Sequence, residues 1–159
     1  MPRENVQAAE PSAPELLEVL RSVSSEVLET MFFSEGLPAD CEHAWLQAAC
    51  VARVGFSGSH CGQMQVAVSH DAVDCIASGF MGIDPGGAGE TEGGQVILEL
   101  ANILCGAILS RVWPESQLLL DAPLLEDWEG GPQDALHCCL EMPDGKLAIS
   151  VWMCETPQA

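Results

Sequence analysis

The chain is 159 residues long and 48% hydrophobic, which suits one domain with an ordinary core and requires no second one. Five basic residues stand against 24 acidic ones, for a formal charge of −19. So few cations exclude neutralising a nucleic-acid backbone or adsorbing to an anionic membrane, and the charge bears on solubility, not on fold.

Residues 1–11 read as a disordered lead-in without the apolar core of a signal peptide, and residues 12–156 as a single domain. Ser12-Ala13-Pro14-Glu15 has the S-x-x-E form of a capping box. Behind it Leu16, Leu20, Val23, Val27 and Met31 recur at helical spacing, with Glu15, Glu18, Arg21, Ser22, Ser25, Glu26 and Glu29 opposite, so the first element is an amphipathic helix. A turn region, SEGLPAD, follows. Residues 45–57 then alternate, with Leu46, Ala48, Cys50, Ala52, Val54 and Phe56 on one face; residues 57–62 turn the chain, and Met64, Val66 and Val68 resume the alternation. That is a β-hairpin. Ser69 or Asp71 can cap a second helix, with Val73, Ile76, Ala77 and Phe80 facing inward and Gly82 ending it.

Residues 83–94, IDPGGAGETEGG, predict a mobile acidic loop leading into a helix over 95–112. Beyond it, residues 117–122 predict a strand ended by Pro123, and residues 124–133 a loop carrying Trp128. Leu136, Cys138, Leu140 and Met142 alternate, Pro143-Asp144-Gly145 turns, and Leu147, Ile149, Val151 and Met153 alternate again as a second hairpin. The order predicts an α+β fold, with helices packed on one face of a largely antiparallel sheet.

Most chemistry-bearing motifs fail on inspection. GGAGETEGG lacks a G-K-[ST] ending and any lysine, and follows a helix where a phosphate loop follows a strand. Asp84, Glu90 and Glu92 lack calcium-loop spacing. His43, His60, His70 and His137 occupy separate segments, and no C-x-x-C pair occurs among the eight cysteines, so no metal site is expected. No G-x-S-x-G elbow marks a nucleophile. Cys41, Cys50, Cys61, Cys75, Cys105, Cys138, Cys139 and Cys154 lie mostly in apolar runs, which predicts reduced core thiols in a cytoplasmic protein. The longest apolar run, residues 96–109, is interrupted by Glu99 and Asn102 and falls short of the ~20 residues of a membrane span.

The third helix is the exception. It is apolar on nearly every side except along Gln95, Glu99, Asn102, Gly106 and Ser110, whose steps of 4, 3, 4 and 4 stack them on one face. Burying Glu99 unpartnered is costly, so the stripe is expected to open onto solvent, a cleft or another protein. Glycine mid-helix costs ~1 kcal/mol relative to alanine, which is understandable if something must approach closely there.

Glu99-x-x-Asn102-x-x-x-Gly106, with Pro123 some way downstream, resembles the signature of the CheC/CheX/FliY family of chemotaxis phosphatases. Glu29-Thr30-Met31-Phe32, Gly55-Phe56-Ser57-Gly58 and Phe80-Met81-Gly82 are in family order, so the resemblance runs from about Ser12 onward, and one E-x-x-N helix makes it more similar to CheX than to CheC. The resemblance implies a CheC/CheX-like fold and hydrolysis of the aspartyl phosphate on a CheY-type response regulator. In that reading Asn102 orients the attacking water and Glu99 pairs with a receiver lysine. Gln95, Gly106 and Ser110 line the receiver-docking face. The Mg²⁺ sits on the receiver and no cofactor on this chain, and two copies form a homodimer through sheet edges. The alternative is a non-catalytic CheX-like module that binds or sequesters a receiver. Family members usually carry Asp or Ser where this chain has Gln95.

Overall fold

The computed structural model describes residues 11–40, 48–127, 132 and 134–154. Residues 1–10 of the expected lead-in, the expected strand start at 45–47 and Trp128 lie outside them. Ser12 caps α1 (Ala13–Met31), its Oγ accepting from the Glu15 N–H at 3.3 Å. Leu20, Val23, Val27 and Leu28 face the core as the spacing requires, whereas Met31 is exposed. The expected apolar stripe therefore ends one turn early. The helix closes with Phe33 in the left-handed region at φ 54°, while the Ser34 N–H reaches back to the Leu28 carbonyl at 3.0 Å.

The turn region after α1 contains a short strand the sequence did not announce, β1 (Leu37–Ala39). The expected first hairpin is β2 (Ala48–Gly58) with β3 (Gly62–Ser69), and Ala52, Val54, Phe56, Met64, Val66 and Val68 are buried. α2 (His70–Met81) starts after Ser69, whose hydroxyl accepts instead from the Lys146 N–H at 2.9 Å. Gly82 ends it at φ 66°, where a Cβ would be strained. Phe80, expected in the core, is partly exposed and stacks on Phe32 with centroids 5.1 Å apart.

α3 (Glu90–Val112) begins five residues earlier than its periodicity indicates, so the loop spans only 83–89. β4 (Leu118–Leu120) is the expected strand, but the segment after Pro123 is not all loop: β5 (Leu124–Glu126) adds to β2. The second hairpin, β6 (Leu136–Met142) with β7 (Gly145–Met153), stands where expected. Every pairing is antiparallel, in the order β1-β6-β7-β3-β2-β4 with β5 also on β2.

The three helices pack against the strands and enclose one main core, with α3 touching both α1 and α2. Val51, Ala67, Cys139 and Ala148 form a small second cluster. By length and composition α3 could cross a membrane, yet its apolar sides are spent on this core. Among the described cysteines Cys105 and Cys138 are buried, and Cys50, Cys61, Cys75 and Cys154 are half-buried free thiols. Cys139 is disulfide-bonded, a correction to the expectation of uniformly reduced thiols.

Burial pushes the Cys105 thiol up to about 12 and the Cys138 thiol to about 11, the latter partly offset by Arg21 and a hydrogen bond with Ser24. Both stay neutral while folded, and the unfolded chain ionises them above the ordinary value of 9.0. The folded state then holds more protons, so stability is intact below pH 9 and falls from there toward pH 11–12. Chemical-denaturation series across that window should show a loss of up to about 1.4 kcal/mol per pH unit for each thiol. Cys105→Ala should remove about half of the slope attributable to the two thiols, whatever it costs at neutral pH.

Candidate functional site

At about 100° per residue, the five stripe positions of α3 fall within roughly 80° of arc, and the buried residues lie outside that arc. Val96, Ile97, Leu100, Ala101, Leu104, Cys105, Ile108 and Leu109 are all buried. Gln95, Glu99 and Ser110 are exposed, and Asn102 and Gly106 are half-buried. The structure thus brings the five residues onto one outward strip, with the carboxamide more enclosed than the carboxylate. Enclosure limits the rotamers Asn102 can sample and leaves Glu99 free to reach a partner.

Gly106 is not demanded by the chain's own packing. A Cβ there would meet only Leu120 Cδ1, at 3.8 Å, an ordinary contact. Arg111, in the last turn of α3, is exposed and makes a loose pair with Glu26 at 3.9 Å.

Both ends of α3 are held. At the start, the Gly89 N–H donates to Glu92 Oε2 at 3.0 Å, and the Asp74 carboxylate takes the Gly86 N–H at 2.9 and 3.1 Å, tying the 83–89 loop to α2. Two loop amides, Gly86 and Gly89, are thereby engaged by carboxylates, and Glu90 and Glu92 add negative charge to the first turn, where a phosphate would be repelled. At the other end Trp113 caps the helix, and the His60 ring stacks on it at 3.8 Å and 10°.

A groove of about 1460 Å³ opens beside α2, the 83–89 loop and the first turns of α3. Asp71, Asp74, Glu90 and Asp144 line it, and none of the five stripe residues does. Among the described residues no group of three or more histidine, cysteine or acidic side chains is arranged to hold a metal.

A neighbouring feature went unread in the sequence. Leu119, Leu120, Leu124 and Leu125 on β4 and β5 are exposed, Leu120 beside Gly106 and Leu125 beside Gly94. The polar strip is therefore bordered by an apolar edge. The signal was present in LLLDAPLL, but its alternation is too short to say which leucines face out.

No family model and no curated protein matches the chain. Solved structures do match. CheX from Vibrio vulnificus superposes with a TM-score of 0.70 at 18% identity, covering 90% of this chain and 99% of that one. The fold is that of CheX. CheX from Desulfovibrio desulfuricans matches with a TM-score of 0.68 at 14% identity over 87% of this chain and 99% of its own. The structure of the CheX–CheY–BeF₃–Mg²⁺ complex from Borrelia burgdorferi gives 0.67 at 16%, covering 88% of this chain and 98% of that one. The CheX-like fold confirms the architecture expected from the E-x-x-N resemblance.

Because the space around Gly106 is open within the chain, Gly106→Ala should stabilise the protein by about 0.4–1 kcal/mol through helix propensity alone. Equilibrium unfolding in urea checks it; destabilisation would show that the glycine serves internal packing.

Proposed function

We propose that the protein is a cytoplasmic hydrolase that removes the phosphoryl group from the aspartyl phosphate of a CheY-type response regulator in chemotaxis signalling. One observation carries this reading: α3 presents a carboxylate and a carboxamide one turn apart on its outward strip, in a chain folded like the CheX of a CheX–CheY complex. The receiver supplies Mg²⁺ and a lysine to balance the phosphoryl charge, so this chain binds no cofactor and contributes alignment.

Asn102 enters the receiver site and holds a water in line with the bond to be broken. Water oxygen attacks phosphorus, the bond to the aspartyl oxygen breaks, and a free carboxylate and inorganic phosphate leave. Glu99 pairs with the receiver lysine and sets the register of insertion. Gly106 lets the receiver backbone come close, while Gln95 and Ser110 make polar contacts at the two ends of the strip. Gln95 stands where a carboxylate or hydroxyl is usual, and its amide serves as the polar contact. The chain's charge of −19 opposes an acidic receiver, so association quickens as salt screens the repulsion.

The test is the decay of phosphate on a CheY-type receiver with and without the protein. Wild type should accelerate it, Asn102→Ala should lose about 100-fold of that acceleration, Glu99→Ala should weaken docking, and Gln95→Asp should leave the rate near wild type. Acceleration no greater with wild type than with Asn102→Ala sinks the catalytic claim. Saturable binding with an unchanged phosphate lifetime would establish the non-catalytic module instead.

The exposed leucines of β4 and β5 favour a second proposal, that this sheet edge pairs two copies into a homodimer. Light scattering should give twice the chain mass for wild type and a monomer for Leu119→Asp with Leu124→Asp; a monomeric wild type rejects it.

A further inference from the structure

Away from α3, two cysteines face each other across the sheet. Cys61 immediately precedes β3 and Cys154 immediately follows β7. The register pairing Gly62 with Met153 continues onto them, since the Cys154 N–H donates to the Cys61 carbonyl at 2.9 Å. Residues opposed in a hydrogen-bonded antiparallel pair have Cα atoms about 5.5 Å apart. That lies inside the roughly 4.4–6.8 Å a disulfide needs.

Opposed residues project to the same face, and here the thiols meet. A hydrogen bond with Cys61, then burial and the charge of Cys61, holds the Cys154 thiol above the ordinary thiol range. Both cysteines are free and half-exposed, unlike Cys105 and Cys138, so a small oxidant can reach them.

We propose that Cys61 and Cys154 are a redox-modifiable dithiol that a hydroperoxide converts to an intramolecular disulfide. One sulfur, as thiolate, attacks a peroxide oxygen; the O–O bond breaks, the leaving oxygen takes up a proton, and a sulfenic acid forms. The other sulfur gives up its proton and attacks the sulfenic sulfur, the S–S bond forms and water leaves. Two electrons pass from the thiols to the peroxide. The staple joins the end of β7 to the β2–β3 turn, the turn that carries His60 onto Trp113 at the end of α3. It makes no use of Glu99 or Asn102, so it stands whether or not the protein is a phosphatase.

The full chain is treated with dilute hydrogen peroxide, free thiols are capped, and the unreduced protein is mapped by proteolysis and mass spectrometry beside a thermal melt. A peptide pair linked through Cys61 and Cys154, two hydrogens lighter than the dithiol, is expected. With it the melting temperature should rise by at least about 5 °C, because the bond closes a long loop in the unfolded chain, and dithiothreitol should reverse the rise. Cys61→Ser and Cys154→Ser should each abolish the link and the shift. The wild-type map alone decides the chemistry if a variant folds poorly. Recovery of either cysteine capped, oxidised singly to sulfinic acid, or linked elsewhere or between copies overturns the proposal.

Discussion

The orientation of α3 is the constraint on which the rest of the molecule depends. Val96, Ile97, Leu100, Leu104 and Ile108 are buried, each contributing about 1.5–3 kcal/mol by leaving water. Turning the helix to hide Glu99 would forfeit that and add the cost of an unpaired buried carboxylate. Only one rotation satisfies both conditions. Glu92 and Asp74 at one end and the His60–Trp113 stack at the other then fix where along its axis the strip lies. The outward face of α3 is thus set by the core behind it.

The electrostatics of the surface narrow what this face can meet. Asp71, Asp74, Glu90 and Asp144 line the wide groove near the start of α3, and the glycine-rich loop turns its Gly86 and Gly89 amides onto Asp74 and Glu92, so neither favours an anion. The strip differs from them in combining one carboxylate, one carboxamide and open space at Gly106. Such a surface suits a protein partner that brings its own cations, which a Mg²⁺-loaded receiver with a lysine does. The proposed reaction asks nothing more of this chain than position.

Much of this was legible in the sequence wherever a long element had one buried face. α1, α2 and both hairpins declare themselves because a period of 3.6 or 2 persists over many residues, and the polar thread of α3 stands out against its apolar surroundings. β1 and β5 are three residues each and carry too little alternation to be read. The start of α3 was hidden because Gly93 and Gly94 look like loop. They are helical and buried, with Val73 and Leu125 packed so near that a Cβ would fall 2.9 Å from Val73 at Gly93 and 3.1 Å from Leu125 at Gly94. Met31 and Phe80 have core spacing yet lie at helix ends where the core has run out. The Cys61–Cys154 pairing was invisible for another reason: it depends on β3 and β7 being neighbours, a long-range fact that no local pattern carries. The identities of Glu99 and Asn102 came from spacing, but their roles rest on resemblance.

The most direct measurement of the central claim is a two-dimensional NMR titration of the isotope-labelled protein with a Mg²⁺-loaded, BeF₃⁻-activated CheY-type receiver. The account predicts that the Asn102 side-chain amide and the backbone signals of Glu99 and Gly106 shift together and saturate with one receiver per chain. Shifts confined to β6, β7 and the acidic groove, with the α3 strip unmoved, would contradict it.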